Sequence, residues 1–197
     1  MAFPTVDAPY GLRPINLIGG QGFAGATRQF KVASGYDTNI FNGDLVKLVA
    51  AGTVEKDAGT TAATPVGVFL GCAYTDPVRG YVTSNYFPAD TVSGDIVAYV
   101  CDDPDALFKI VSVSGTTVVA GYGQLAVGSN AALVQNAGNT LNGNSKVALL
   151  GTSVATTATL PLRLIQGVPE TADSSGNFTE WVVKFNAGHQ YQNTTGV

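Results

Sequence analysis

The chain has 197 residues, of which 45% are hydrophobic and only 12% charged, and its formal net charge is −4. That length can bury a sizeable single core, and the composition is too apolar for a disordered segment. The few Lys and Arg are scattered, so neither counterion release on nucleic acid nor polybasic attachment to a membrane is expected.

Residues 1–28 differ in character from the rest of the chain. Pro4, Pro9 and Pro14 recur at five-residue spacing, and each fixes its own φ and pushes its predecessor toward extended geometry. The segment also carries Phe3, Val6, Tyr10, Leu12, Ile15, Leu17, Ile18 and Phe23. Extended backbone with regularly placed apolar groups suits an N-terminal arm that docks on a partner, and those eight residues are its candidate contacts. A strand-like lead-in packed on its own domain fits equally well, and the sequence leaves both readings open.

Residues 29–197 read as one all-β domain. Short β-type runs at 30–32, 45–49, 66–74, 96–100, 107–113, 118–119, 133–134, 147–150, 160–168 and 178–185 are cut by Gly, Pro, Asn, Asp and Ser. Turn signals at this spacing, with no helical periodicity between them, predict a compact β-barrel or β-sandwich. Ser114-Gly115, Asn142-Gly143 and the stretch 173–177 carry hairpin chemistry. Trp181-Val182-Val183-Lys184-Phe185 alternates poorly, which predicts burial on both faces. Only the surroundings of Asp90 and Asp105 could hold a helical turn, and the polar tail from 188 is expected to fray.

One phrase occurs twice. Asn42-Gly43-Asp44-Leu45-Val46 returns as Ser93-Gly94-Asp95-Ile96-Val97, each a polar turn that enters a strand. Other motifs are weak. Gly20-x-Gly22-x-x-Gly25 matches a dinucleotide-binding loop by letter, but Arg28-Gln29-Phe30-Lys31-Val32 reads as a strand where the chemistry needs a helix N-terminus. Asp102-Asp103-Pro104-Asp105 could offer carboxylates to calcium, and an acidic turn is the better reading. The single histidine, His189, sits near the tail with no orienting partner in view, so no enzymatic activity, cofactor or metal is expected. The opening residues resemble no secretory signal, and the chain is expected to be made in a cytoplasm, with Cys72 and Cys101 reduced and buried.

The residues Asn42-Gly43-Asp44-Leu45-Val46-Lys47-Leu48, Gly52-Thr53-Val54 and Ala63-Thr64-Pro65-Val66-Gly67-Val68-Phe69-Leu70-Gly71-Cys72 resemble tailed-phage head decoration, or cement, proteins. Ala8-Pro9-Tyr10-Gly11-Leu12-Arg13-Pro14-Ile15 is also similar to small phage structural proteins. The likeness covers about the first hundred residues. It implies a structural virion protein, made in the host cytoplasm, that binds the outside of an icosahedral capsid as a homotrimer. There it would cement adjacent major capsid protein subunits, with the arm supplying part of the grip. Gly43, Asp44, Pro65 and Gly67 would then shape the fold. A domain without residues 1–20 is expected to fold but to attach weakly. The alternative is a phage tail or fibre component, or another carbohydrate-binding adhesive β module, with Tyr36, Tyr74, Tyr81, Tyr86 and Trp181 stacking on sugars.

Overall fold

Runs of Val, Ile, Leu and aromatic residues cut by turn formers become strands in a computed structural model, which describes residues 8–186, 188–192 and 196. In chain order these are β1 (Arg13–Leu17), β2 (Arg28–Lys31), β3 (Ile40–Phe41), β4 (Leu45–Leu48), β5 (Val54–Lys56) and β6 (Gly67–Asp76). Next come β7 (Gly80–Ser84), β8 (Tyr86–Phe87), β9 (Val97–Cys101), β10 (Ala106–Val113) and β11 (Tyr122–Gly123). The last are β12 (Asn130–Val134), β13 (Ala148–Ala155), β14 (Leu162–Gly167), β15 (Asn177–Phe178) and β16 (Glu180–Phe185).

The fold is all-β, and its centre is a closed barrel of five strands in the order β10-β13-β12-β14-β16, with β16 returning to β10. Closure pairs Phe108 with Val183 and Ile110 with Trp181, antiparallel. The β10–β13 contact alone in the ring is parallel, through Ser112↔Leu149 and Val113↔Leu150. β13 covers only the far half of the edge of β10 that it meets; β1 takes the near half, with Arg13↔Lys109 and Leu17↔Ala106. The barrel is filled by Phe108, Ile110, Leu133, Leu149, Leu162, Leu164, Trp181 and Val183, and burial of each such Leu, Ile or Phe contributes about 1.5–3 kcal/mol.

A second sheet, β2-β9-β6-β4-β5 with β7 also on β6, lies against the barrel. Its inner strands are buried on both faces, and strand alternation divides their side chains between two cores. Leu45, Val68 and Cys101 enter the barrel core, whereas Val46, Phe69 and Val100 join Ile40, Val54, Phe87 and Ile96 in a second one. Burial on both faces explains why 66–74 reads as an almost unbroken apolar run. In β16 the opposite holds. Trp181, Val183 and Phe185 are buried while Val182 and Lys184 are partly open, so this strand alternates with one face inward, contrary to the sequence expectation.

Short 3-10 turns occur at Gln124–Ala126, Pro169–Thr171 and Gln190–Gln192. None lies at Asp90 or Asp105, which sit in tight turns; Asp90 adopts φ 59° and Asp103 accepts a hydrogen bond from the Asp105 N–H. The 118–119 run contributes only a bridge, Val113↔Val119, across the Ser114-Gly115 turn.

The two copies of the repeated phrase have different fates. Asp44 is fully buried. Its carboxylate accepts the Phe41 N–H at 2.9 Å and the Ser145 hydroxyl at 2.6 Å, and pairs with Lys56 at 2.8 Å. Gly43, at φ +97°, turns the chain so that its carbonyl accepts the Leu12 N–H at 3.0 Å. The N-terminal segment, the second sheet and the 139–147 loop therefore meet at one joint. Asp95 lies on the surface, where the Ser93 hydroxyl and the hydroxyl and N–H of Thr75 hold its carboxyl down at about 2.

Candidate docking surface

Phe3 and Val6 lie outside the described residues. The rest of the expected arm is placed on its own barrel. Leu12 is fully buried in the barrel core, and Leu17 and Phe23 pack against it. Tyr10 donates its hydroxyl to the buried Glu180, which also pairs with Lys109 at 3.3 Å. Burial first, then the Glu180 contact, pushes the Tyr10 phenol far above its usual range, so it remains a donor. Among the described arm residues, Ile15 and Ile18 are the most open, at 37% and 52% exposure, while Tyr10, Leu17 and Phe23 are partly buried. Because Leu12 fills the barrel core and β1 pairs with the edge of β10, deletion of residues 1–20 removes structure, contrary to the expectation that such a domain still folds.

A second exposed apolar feature is a ledge that sequence reading missed. β6 and β7 form a hairpin whose tip is Pro77-Val78-Arg79, and beside it runs the loop from Pro88 to β9. Val78 and Val92 are 91% and 74% exposed. Pro77, Val92 and Gly94 line a shallow depression of about 600 Å³ together with Thr75, Ser93 and Asp95. The ledge is stiff for local reasons. Asp76 accepts the N–H groups of Val78 and Arg79 at 2.8 Å, which fixes the hairpin tip, and Asp95 ties the loop to Thr75 at 2.9 Å. The available signal was an apolar residue inside the turn Asp76-Pro77-Val78-Arg79-Gly80, where solvent-facing polar residues are the rule. Exposed apolar ground rimmed by polar groups is characteristic of interaction sites.

Most of the aromatic residues expected to stack on sugars are already engaged. Trp181 is fully buried and meets Phe178 edge-on, Tyr74 is buried, and Tyr36 packs against Phe87 while its hydroxyl accepts the Lys56 N–H. Tyr86 stacks on Phe41, and Tyr81 is left 70% exposed.

Groups with chemical potential are held in structural roles. Asp102 accepts from Arg28 and Tyr191, and Asp105 pairs with Lys184 at 2.6 Å, so the acidic run is a turn whose carboxylates point to separate partners. Among the described residues, no three His, Cys, Asp or Glu side chains converge as a metal site. The glycine-rich stretch 19–25 leads into strand β2, as its sequence suggests. Cys72 and Cys101 are free and buried, and burial pushes their thiols up to about 12 and about 11. Thiol titration of the native protein at pH 8 is therefore expected to find almost no reactive sulfur, and two thiols per chain only after denaturation.

His189 is the largest departure from the sequence reading. It is 1% exposed, packed between the rings of Phe185 and Tyr191, and the segment carrying it is a strap across the second sheet. The Gln190 N–H donates to the Pro65 carbonyl at 2.9 Å. Its side-chain amide accepts the Leu48 N–H at 2.6 Å and donates to the Leu48 carbonyl at 3.0 Å. One glutamine amide thus satisfies both backbone groups of Leu48, beyond the reach of β6 pairing.

No protein-family model, curated protein or solved structure matches this chain. No helix among the described residues is long and apolar enough to cross a membrane.

Proposed function

We propose that this chain is a structural virion protein that binds the outside of a bacteriophage icosahedral capsid and cements adjacent major capsid protein subunits, acting as a homotrimer and without chemistry of its own. The observation that carries this reading is the apolar ledge lined by Pro77 and Val92, with Val78 exposed at the adjoining hairpin tip, on an all-β body whose surface has few charges. A cement protein works by covering apolar area across a seam, at roughly 25 cal/mol per Å². A stiff ledge covers that area with little ordering cost. The segments that carry the likeness to decoration proteins are also one physical unit: they form the β4-β5-β6 part of the second sheet and include the Asp44 joint.

The test is cosedimentation with expanded capsid shells. Wild type is expected to bind them and to run as a trimer by mass measurement. Val78→Asp with Val92→Asp is expected to weaken binding at least tenfold, and the thermal midpoint should hardly move because both side chains face solvent. Absence of any association with expanded shells would sink the reading. Glycan-array binding without capsid affinity would favour the adhesive module, for which Tyr81 and the partly open Tyr86 are the remaining stacking faces.

A further inference from the structure

We propose that the C-terminal strap, residues 188–192, is a pH-sensitive latch in which protonation of His189 releases Gln190 from the exposed edge of β4 at Leu48. The Tyr191 N–H donates to His189 Nδ1 at 3.3 Å, so the neutral ring must carry its proton on Nε2. That Nε2 is buried and has no hydrogen-bond partner among the described residues. Adding a proton forces it onto Nδ1, where it opposes the Tyr191 N–H. Two donors then face each other, and one of the two bonds that close the strap on itself is lost; the other, from the Gln192 N–H to the His189 carbonyl at 2.9 Å, remains.

The surroundings set the direction. Burial is the largest influence on His189 and holds its pKa below the ordinary 6.5. Asp102 and Asp103 act against this, as does a backbone contact from Val66, while Lys184 adds to it. Part of the Asp102 charge is already used by Arg28 and by the Tyr191 hydroxyl. The ring also meets the apolar ring of Phe185 and the ring of Tyr191. The released strap binds a proton more tightly than the docked one. Docking is therefore at full strength above pH 6.5 and weakens as the pH falls below that value, until the lower docked-state pKa has been passed. The latch is local, because the strap reaches the second sheet and its flanking turn through Gln190 and Tyr191, whereas β16 before it is locked into the barrel.

The experiment is amide exchange between pH 7.5 and 5.0, corrected for intrinsic exchange, together with titration of the His189 ring by NMR; His189 is the only histidine in the chain. The Leu48 amide is expected to lose protection at least tenfold on acidification, with a midpoint that matches the ring titration. The Ile110 and Val183 amides in the barrel should stay protected. His189→Asn, which keeps an acceptor for the Tyr191 N–H but does not titrate, should remove the pH dependence. Gln190→Ala should expose Leu48 at both pH values and so verify the reporter. Unchanged Leu48 protection at pH 5.0 would overturn the proposal, as would its loss together with Val183. If His189→Asn does not fold, coincidence or disagreement of the two wild-type midpoints decides the matter.

Discussion

Replacing Asp44 by alanine is expected to lower the unfolding free energy by about 3–5 kcal/mol, the range for a buried ion pair broken from one side. Lys56 would keep its ammonium at a side-chain exposure of only 14% with no counter-charge. The Phe41 N–H and the Ser145 hydroxyl would lose their acceptor in the same place, and an unmet buried donor costs about 1–3 kcal/mol. These losses share one site and do not add in full. Asp44→Asn keeps an acceptor oxygen and should fall between wild type and alanine. Asp95→Ala is the matched control in the other copy of the phrase. It removes bonds to Ser93 and Thr75 on the surface and should shift the thermal midpoint far less. Equal shifts for Asp44→Ala and Asp95→Ala would refute the joint.

That contrast shows how far the sequence can be read. Asn42-Gly43-Asp44 and Ser93-Gly94-Asp95 are locally alike, and each does enter a strand. What separates them is the partner set. Ser145 lies 101 residues beyond Asp44, and no local pattern announces it. The all-β class is legible because Val, Ile and Thr runs and turn residues act locally. Barrel closure is not, since it depends on β10 meeting β16, with Ile110 and Trp181 paired across most of the second half of the chain. The 66–74 run is recognisable as a strand, but its division between two cores depends on where the sheet packs.

The candidate surface is less legible still. The prolines and apolar spacing of residues 8–28 suit a docking arm and a barrel strand alike. Only the free half-edge of β10 decides where Leu12 goes in this chain. His189 reads as exposed because its neighbours are polar. Gln190 is polar in the service of docking, its amide standing in for a missing strand at Leu48. A glutamine that imitates backbone is not distinguishable by residue type from one that faces water.

The other large effect expected is at Gly67, one of the positions to which the resemblance assigns a fold-shaping role, and here the local packing alone gives the reason. A Cβ at this position would sit 2.2 Å from the Cys101 carbonyl oxygen, 2.8 Å from Val100 Cγ1 and 2.9 Å from the Asp102 Cα. Two of these three contacts are backbone, so relief requires β9 to move away from β6. The movement would strain the Val68↔Cys101 and Phe69↔Val100 pairs. Val68 and Cys101 fill the barrel core while Phe69 and Val100 fill the second core, so both cores would open from one added methyl. Gly67→Ala is thus expected to cost about 3 kcal/mol, the upper part of the usual range for overpacking. In a chain of this length that corresponds to a midpoint lowered by about 6–12 °C. Gly94→Ala provides the control within the second copy of the phrase, because a Cβ there meets nothing within 4 Å. Thermal unfolding followed by Trp181 fluorescence would separate the two variants. A Gly67→Ala midpoint equal to that of Gly94→Ala would mean that β9 yields without cost, and the coupling of the two cores through β6 would have to be abandoned.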